Sequence, residues 1–176
     1  MKKQLYTKRL KLRVPKIEDC NKIFELYATD LDISKLLAWK PHKTLKETEK
    51  FIKSRINEWE TETRFSWCIE FSETEELIGM ITTKPQGEFA FSISYLIAKP
   101  FWGKGFATEA AKLVLDHLLS IDKVFRVEAF CDTENIGSDK VIRKIGMQYE
   151  GIARKKGYVP NISKIPRDCY MYSIVK

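Results

Sequence analysis

The chain has 176 residues, 44% hydrophobic and 12% aromatic, which suffices for an independent core and excludes a disordered or collagen-like chain. Its 31 Lys and Arg against 24 Asp and Glu leave a net charge of +7, pointing to an anionic partner without choosing among nucleic acid, membrane surface and a phosphate-bearing ligand. With no signal-peptide pattern behind the basic start, no membrane-length apolar run and no Cys-x-x-Cys among Cys20, Cys68, Cys131 and Cys169, a reduced, cytoplasmic protein is expected.

Residues 10–14, Leu-Lys-Leu-Arg-Val, alternate apolar and basic side chains at the period of a half-buried strand, and Pro15 ends it. Residues 17–28 put Ile17, Cys20, Ile23, Phe24 and Tyr27 on one helical stripe. A longer helix is predicted over 44–63, opened by Thr44-Leu45-Lys46-Glu47 in the capping-box pattern and burying Phe51, Ile52, Ile56 and Trp59. Strands are predicted over 65–71, 77–84 and 88–98, and the short polar turns between them make an antiparallel meander. A helix over 107–121, a strand over 124–131 and a helix over 136–145 follow, the last closed by Gly146 where a left-handed residue commonly ends a helix. Two final strands, 147–154 and 168–175, flank a basic loop. The order β-α-α-β-β-β-α-β-α-β-β predicts one α+β domain over residues 1–176, a single mixed, mostly antiparallel sheet flanked by about four helices.

Gly103-Lys104-Gly105 joins a predicted strand to a predicted helix. The glycines let the backbone turn sharply and a ligand approach closely. The helix leaves its first amides unpaired, and its dipole adds positive potential there. A phosphate group fits such a place without a catalytic side chain, and Lys104 adds a mobile charge. The alternative is a connection whose glycines serve geometry alone. No segment supplies a P-loop, and a dinucleotide fingerprint fails because Thr108 stands where glycine or alanine is needed. His42 and His117 have no cysteine at zinc-ligand spacing, so no protein-built metal site is expected. Cys131 reads as a buried small residue and His117 as structural.

These residues resemble the GNAT N-acetyltransferases, and more narrowly their branch of bacterial ribosomal-protein N-terminal acetyltransferases. The likeness runs from about Thr7 to Val175. It rests on Ala98-Lys99-Pro100-Phe101-Trp102-Gly103-Lys104-Gly105-Phe106-Ala107-Thr108-Glu109-Ala110, on Asn135-Ile136-Gly137-Ser138 and on Lys144-Ile145-Gly146-Met147-Gln148-Tyr149-Glu150-Gly151, in that order. It implies a sheet splayed at a cleft that takes acetyl-CoA as co-substrate. Backbone amides of Trp102, Gly103, Lys104, Gly105, Phe106 and Ala107, with Thr108 in the first helical turn, would hold the diphosphate. The pantetheine arm would run beside the strand carrying Ile97 and Ala98, and an amide there would meet the thioester carbonyl. Asn135 matches the position that contacts the pantetheine arm. Ser138 matches a serine assigned as proton donor to the departing thiolate, although either residue also fits a helix cap. The tyrosine with that role in many relatives is replaced here by Ile142, and Trp102 replaces the Gln/Arg that opens the wider family's phosphate motif. Glu150 matches a carboxylate suggested to deprotonate the amine through water; the alternative is a strand-surface glutamate.

The resemblance thus implies an acetyl-CoA-dependent N-acetyltransferase, with a protein N-terminal α-amine, a ribosomal one among the candidates, as preferred acceptor. The alternatives are a small amine (polyamine, amino acid or antibiotic) and, from another class, a non-catalytic basic RNA- or ribosome-binding module. A polyamine site should gather carboxylates in residues 30–50, where Lys35, Lys40, Lys43, Lys46 and Lys50 outweigh Asp30, Asp32, Glu47 and Glu49. A monomer or homodimer without membrane or nucleic-acid partners is expected.

Overall fold

In a computed structural model, which describes residues 1–176, every strand joins one sheet. The strands are β1 (Gln4–Tyr6), β2 (Leu10–Arg13), β3 (Phe65–Phe71), β4 (Leu77–Pro85), β5 (Ala90–Ile97), β6 (Arg126–Asp132), β7 (Gln148–Gly157) and β8 (Arg167–Val175), in the spatial order β1-β2-β3-β4-β5-β6-β8-β7. The predicted meander is β3-β4-β5, and all neighbours are antiparallel except β5 with β6. The helices are α1 (Cys20–Ile23), α2 (Leu31–Ser34), α3 (Leu45–Glu60), α4 (Phe106–Leu119) and α5 (Ile136–Lys144). No helix is long and apolar enough to cross a membrane.

Two elements went unpredicted because each is a turn or less long. β1 has three residues and pairs only with β2. α2 has four, started by Asp30, whose carboxylate accepts from the amides of Asp32 at 2.7 Å and Ile33 at 3.2 Å. The predicted helix over 17–28 is a 3-10 turn (Ile17–Asp19), α1 and a π turn (Phe24–Ala28) in series. The predicted capping box at Thr44 does not form: Thr44 makes no side-chain cap, and Glu47 reaches past it to the Lys43 amide at 2.9 Å. At Gly146 the expectation holds. Its φ is +91°, its amide bonds to the Arg143 carbonyl and that of Met147 to Ile142, the paired bonds of a Schellman ending.

α4 covers one face of the sheet, laying Ala110, Ala111, Val114, Leu115 and Leu118 on Trp67, Ile81, Ile93 and Ile97. α1 and α3 cover the other face with Ile23 and Ile52 against Cys68 and Met80. On that second face Arg13 is held between two buried carboxylates, bidentate to Asp19 at 2.7 and 2.8 Å and 2.5 Å from Glu70. Gly79 is required by close approach, since a Cβ there would lie 2.3 Å from the Leu96 carbonyl.

The functionally decisive feature is where pairing stops. β5 and β6 run parallel and register only over Ala90–Ser92 against Arg126–Glu128. Beyond that point β5 continues to Ile97 on β4 alone, and β6 to Asp132 on β8 alone. The sheet is therefore split by a gap with an unpaired strand edge on each side.

Candidate active site

The free edge of β5 can be assigned residue by residue. Ala98 N donates to Ile78 O and Gln86 N to Ala90 O, both at 2.8 Å, and the register between them is unbroken. Antiparallel alternation then turns the backbone groups of the even-numbered residues toward β4, and those of Ile93, Tyr95 and Ile97 toward the gap. Ile97 thus turns its amide toward the gap. Ala98 does not: its amide is spent on Ile78 and its carbonyl on Phe101.

At the end of β5 the chain makes a 3-10 turn (Lys99–Phe101) and then the glycine turn, with φ +75° at Gly103 and +82° at Gly105. These left-handed values suit residues without Cβ and aim successive amides outward. The amides of Gly103, Lys104, Gly105, Phe106, Ala107 and Thr108 donate to no group in the structure, and α4 has no side-chain N-cap. A row of orphan donors at a helix N-terminus fits the diphosphate of acetyl-CoA. Trp102 departs from the expectation. Its amide already bonds to Lys99 at 3.2 Å, and its indole donates to the Ile97 carbonyl at 2.6 Å, so it props the turn instead of lending it a donor. Arg9 was not singled out by the sequence, because its partners lie on α4 and the glycine turn, distant in the chain. It pairs with Glu109, lies 4.6 Å from the Phe106 ring centre and donates to the Lys104 carbonyl at 3.4 Å, bracing the turn from the residue before β2.

Across the gap, α5 begins at Asn135, whose Oδ1 accepts the Ser138 amide at 3.0 Å. Asn135 is therefore the helix cap, and it also lines the cavity. Arg167 on β8 fixes the turn before it, bonding to buried Asp132 at 2.6 Å and to Glu134 at 2.8 Å. Burial alone would raise the Asp132 pKa; the guanidinium and the Glu134 amide outweigh it and hold it below the ordinary carboxylate value. The Ser138 hydroxyl lies 3.1 Å from the hydroxyl of Tyr95, which also lies 3.1 Å from the Ser138 carbonyl. Tyr95 was absent from the sequence-level candidates, because nothing in its local pattern separates it from a core tyrosine. Burial pushes its pKa well up, so the phenol stays protonated.

Glu150 is placed elsewhere. It is the extra residue of a bulge on β7, between the pairs Tyr149–Tyr172 and Gly151–Met171. Arg126 grips it with two nitrogens, one at 2.7 Å, and Ser173 Oγ donates to it at 2.6 Å. Those partners hold its pKa down at about 2, a poor proton acceptor, and it does not line the cavity.

That cavity, about 780 Å³, passes through the gap and is walled from both faces of the sheet. Tyr95, Ser138 and Ile142 line its α4 side, and Met80, Thr82 and Arg55 its α3 side. Cys131 is on the wall too, but burial pushes its thiol up to about 12, so it is no nucleophile. The glycine turn lies beyond the end of β5 at the start of α4, while Met80, Thr82 and Arg55 wall the cavity from the other face, so a ligand from each side could meet in the gap.

The profile of the acetyltransferase (GNAT) domain matches residues 9–148. An uncharacterized N-acetyltransferase of Bacillus licheniformis, p20, is 30% identical over 98% of this chain and 96% of its own. A GNAT-family acetyltransferase from Bacillus anthracis superposes with a TM-score of 0.85 at 26% identity, covering 98% of both chains. RimL, a ribosomal L7/L12 α-N-protein acetyltransferase solved in complex with coenzyme A, shares the fold with a TM-score of 0.86 at 18% identity over 98% of this chain and 97% of its own. With the split sheet, the orphan amides and these likenesses in place, the chain belongs to the GNAT acetyltransferase family and is an acetyl-CoA-dependent N-acetyltransferase.

Proposed function

We infer that residues 1–176 act as one catalytic domain that acetylates the N-terminal α-amine of a protein, in the cytoplasm, where its four free, buried cysteines stay reduced. The observation that carries the acceptor is the lack of a free carboxylate on the cavity wall. Asp132 is locked by Arg167 and Glu150 lies outside. His42 lines the cavity but is tied to Thr48 at 2.8 Å, and burial lowers its pKa. An acceptor must then arrive neutral by its own chemistry. An α-amine with a pKa near 7.7–8.0 is neutral roughly two hundred times more often at pH 7.5 than an alkylamine near 10.4. That favours peptide N-termini over polyamines.

Acetyl-CoA supplies the acetyl group as a thioester. The amides of residues 103–108 bind its diphosphate, and the cleft-facing amides of Ile93, Tyr95 and Ile97 hold the arm as an added strand. An amide of that edge donates to the thioester carbonyl, where charge gathers during attack. Ser138 Oγ gives a proton to the departing sulfur and is reprotonated by the proton that the attacking nitrogen sheds as the amide forms, and Tyr95 orients that hydroxyl. The test is the pH dependence of kcat/KM on a serine-initiated peptide. It should rise with the peptide's own α-amine ionisation and be unchanged in Glu150→Gln. Loss of activity in folded Glu150→Gln, or turnover of polyamines but of no peptide, would reverse the assignment.

A further inference from the structure

The α3-side mouth is unbalanced in charge. Arg55, Arg64, Lys84 and Lys156 are cationic residues on the cavity wall, and Asp132 is its single acidic residue, already bound to Arg167. Arg55 and Arg64 share one carboxylate: Glu58 lies 3.1 Å from Arg55 Nε and 3.4 Å from Arg64 Nη1. Arg55 is sunk against the Phe51 ring, 5.0 Å from its centre, and burial together with the neighbouring Arg64 charge depresses its pKa. Two guanidinium groups forced together on one carboxylate leave donors and positive potential for an incoming anion. Lys84 has no carboxylate within ion-pair distance.

The distance from this cluster to the reacting end follows from the register. Lys84 on β4 pairs with Ser92 on β5, and Tyr95, which contacts Ser138, is three residues further along β5. At about 3.3 Å per residue that is roughly 10 Å, or three residues of extended peptide. A free amino acid carries its carboxylate two bonds from its amine and does not bridge that span. A peptide chain does.

We propose that the acceptor is an N-terminal segment bearing Asp or Glu at its second to fourth position, whose carboxylate is received by Arg55, Arg64 and Lys84 while the α-amine reaches Ser138. This rests on the α-amine reading and narrows it. The basic cluster repels cationic amines and selects acidic N-termini, and the amine itself is kept neutral by the same potential.

The experiment is CoA release from acetyl-CoA with hexapeptides that begin with serine and differ only in Asp, Gln or Lys at positions two to four. Expected is a kcat/KM at least about tenfold higher for Asp than for Lys peptides, shrinking as salt is raised. Lys84→Glu and Arg64→Glu should each reverse the order of the Asp and Lys peptides. Equal rates for Asp and Lys peptides would overturn the charge selection and leave the α-amine reading intact. No peptide turned over, with acetyl-CoA still raising the melting temperature, would overturn the α-amine reading itself.

Discussion

At the scale of single residues, Tyr95 and Ser138 form one unit. A phenol has a single proton, so Tyr95 either donates it to the Ser138 carbonyl and receives the serine hydroxyl, or donates to Oγ and frees the serine proton for the cleft. Only the second arrangement leaves the serine proton free, as the proposed acid role requires. Ser138→Ala is expected to lower kcat at least about tenfold with the KM for acetyl-CoA nearly unchanged, as for loss of a proton donor. Tyr95→Phe should give a smaller fall of the same kind, and the double variant should be no worse than Ser138→Ala; additive losses in a double-mutant cycle would break the pair apart. Ser138 and Asn135 entered through the family resemblance of Asn135-Ile136-Gly137-Ser138, the residues by themselves reading only as a helix cap. Tyr95 did not enter, because its function comes from a partner 43 positions away in the chain. Glu150 misled for the reciprocal reason: Arg126 and Ser173, which neutralise it, are strand neighbours that no local window contains.

At the scale of elements, periodicity found every strand and helix long enough to have a face, and missed β1 and α2, which do not. The boundary shifts have local causes. β6 was predicted from Val124, but Phe125 and Arg126 both direct their amides to Phe89 at the mouth of the parallel pairing, and strand geometry starts only there. The glycine turn does join β5 to α4, and its orphan amides begin at Gly103 and not at Trp102. Gly105→Ala meets no close atom, the nearest being Arg9 at 3.7 Å, so its cost is the left-handed backbone, about 1–2 kcal/mol. Urea unfolding should register that loss. A raised KM for acetyl-CoA is expected alongside it, because relief of the strain turns the amides away. An unchanged KM would show that the donors do not depend on this turn.

At the scale of the molecule, carboxylates held by arginines make stability depend on acid. Asp19, Glu109 and Asp132 all lie below their ordinary pKa in the fold: burial raises each, and the hydrogen bonds of Arg13 on Asp19, of Thr7 and Arg9 on Glu109 and of Arg167 on Asp132, with backbone amides, more than offset it. A depressed folded pKa contributes stability that is whole above the unfolded value, near pH 4, and is lost as pH falls through the folded value. Urea midpoints should therefore be flat from about pH 7 to 5 and drop below about pH 4; a decline already complete at pH 5 would contradict these pairings. The net charge of +7 has a local address in the same frame, a mouth with four basic walls and a turn of bare amides on the other side of the sheet. The split between β5 and β6 carries one more consequence. Only three rungs join a five-strand half to a three-strand half, and in the proposed binding mode the ligand's arm, which is common to acetyl-CoA and to free CoA, supplies the partner that β5 lacks. The product thus closes the gap as well as the reactant does, and CoA should compete with acetyl-CoA at nearly equal affinity, read as its inhibition constant in initial rates. In amide exchange the two halves should then stiffen together with either ligand, the enzyme's sheet being whole only while occupied.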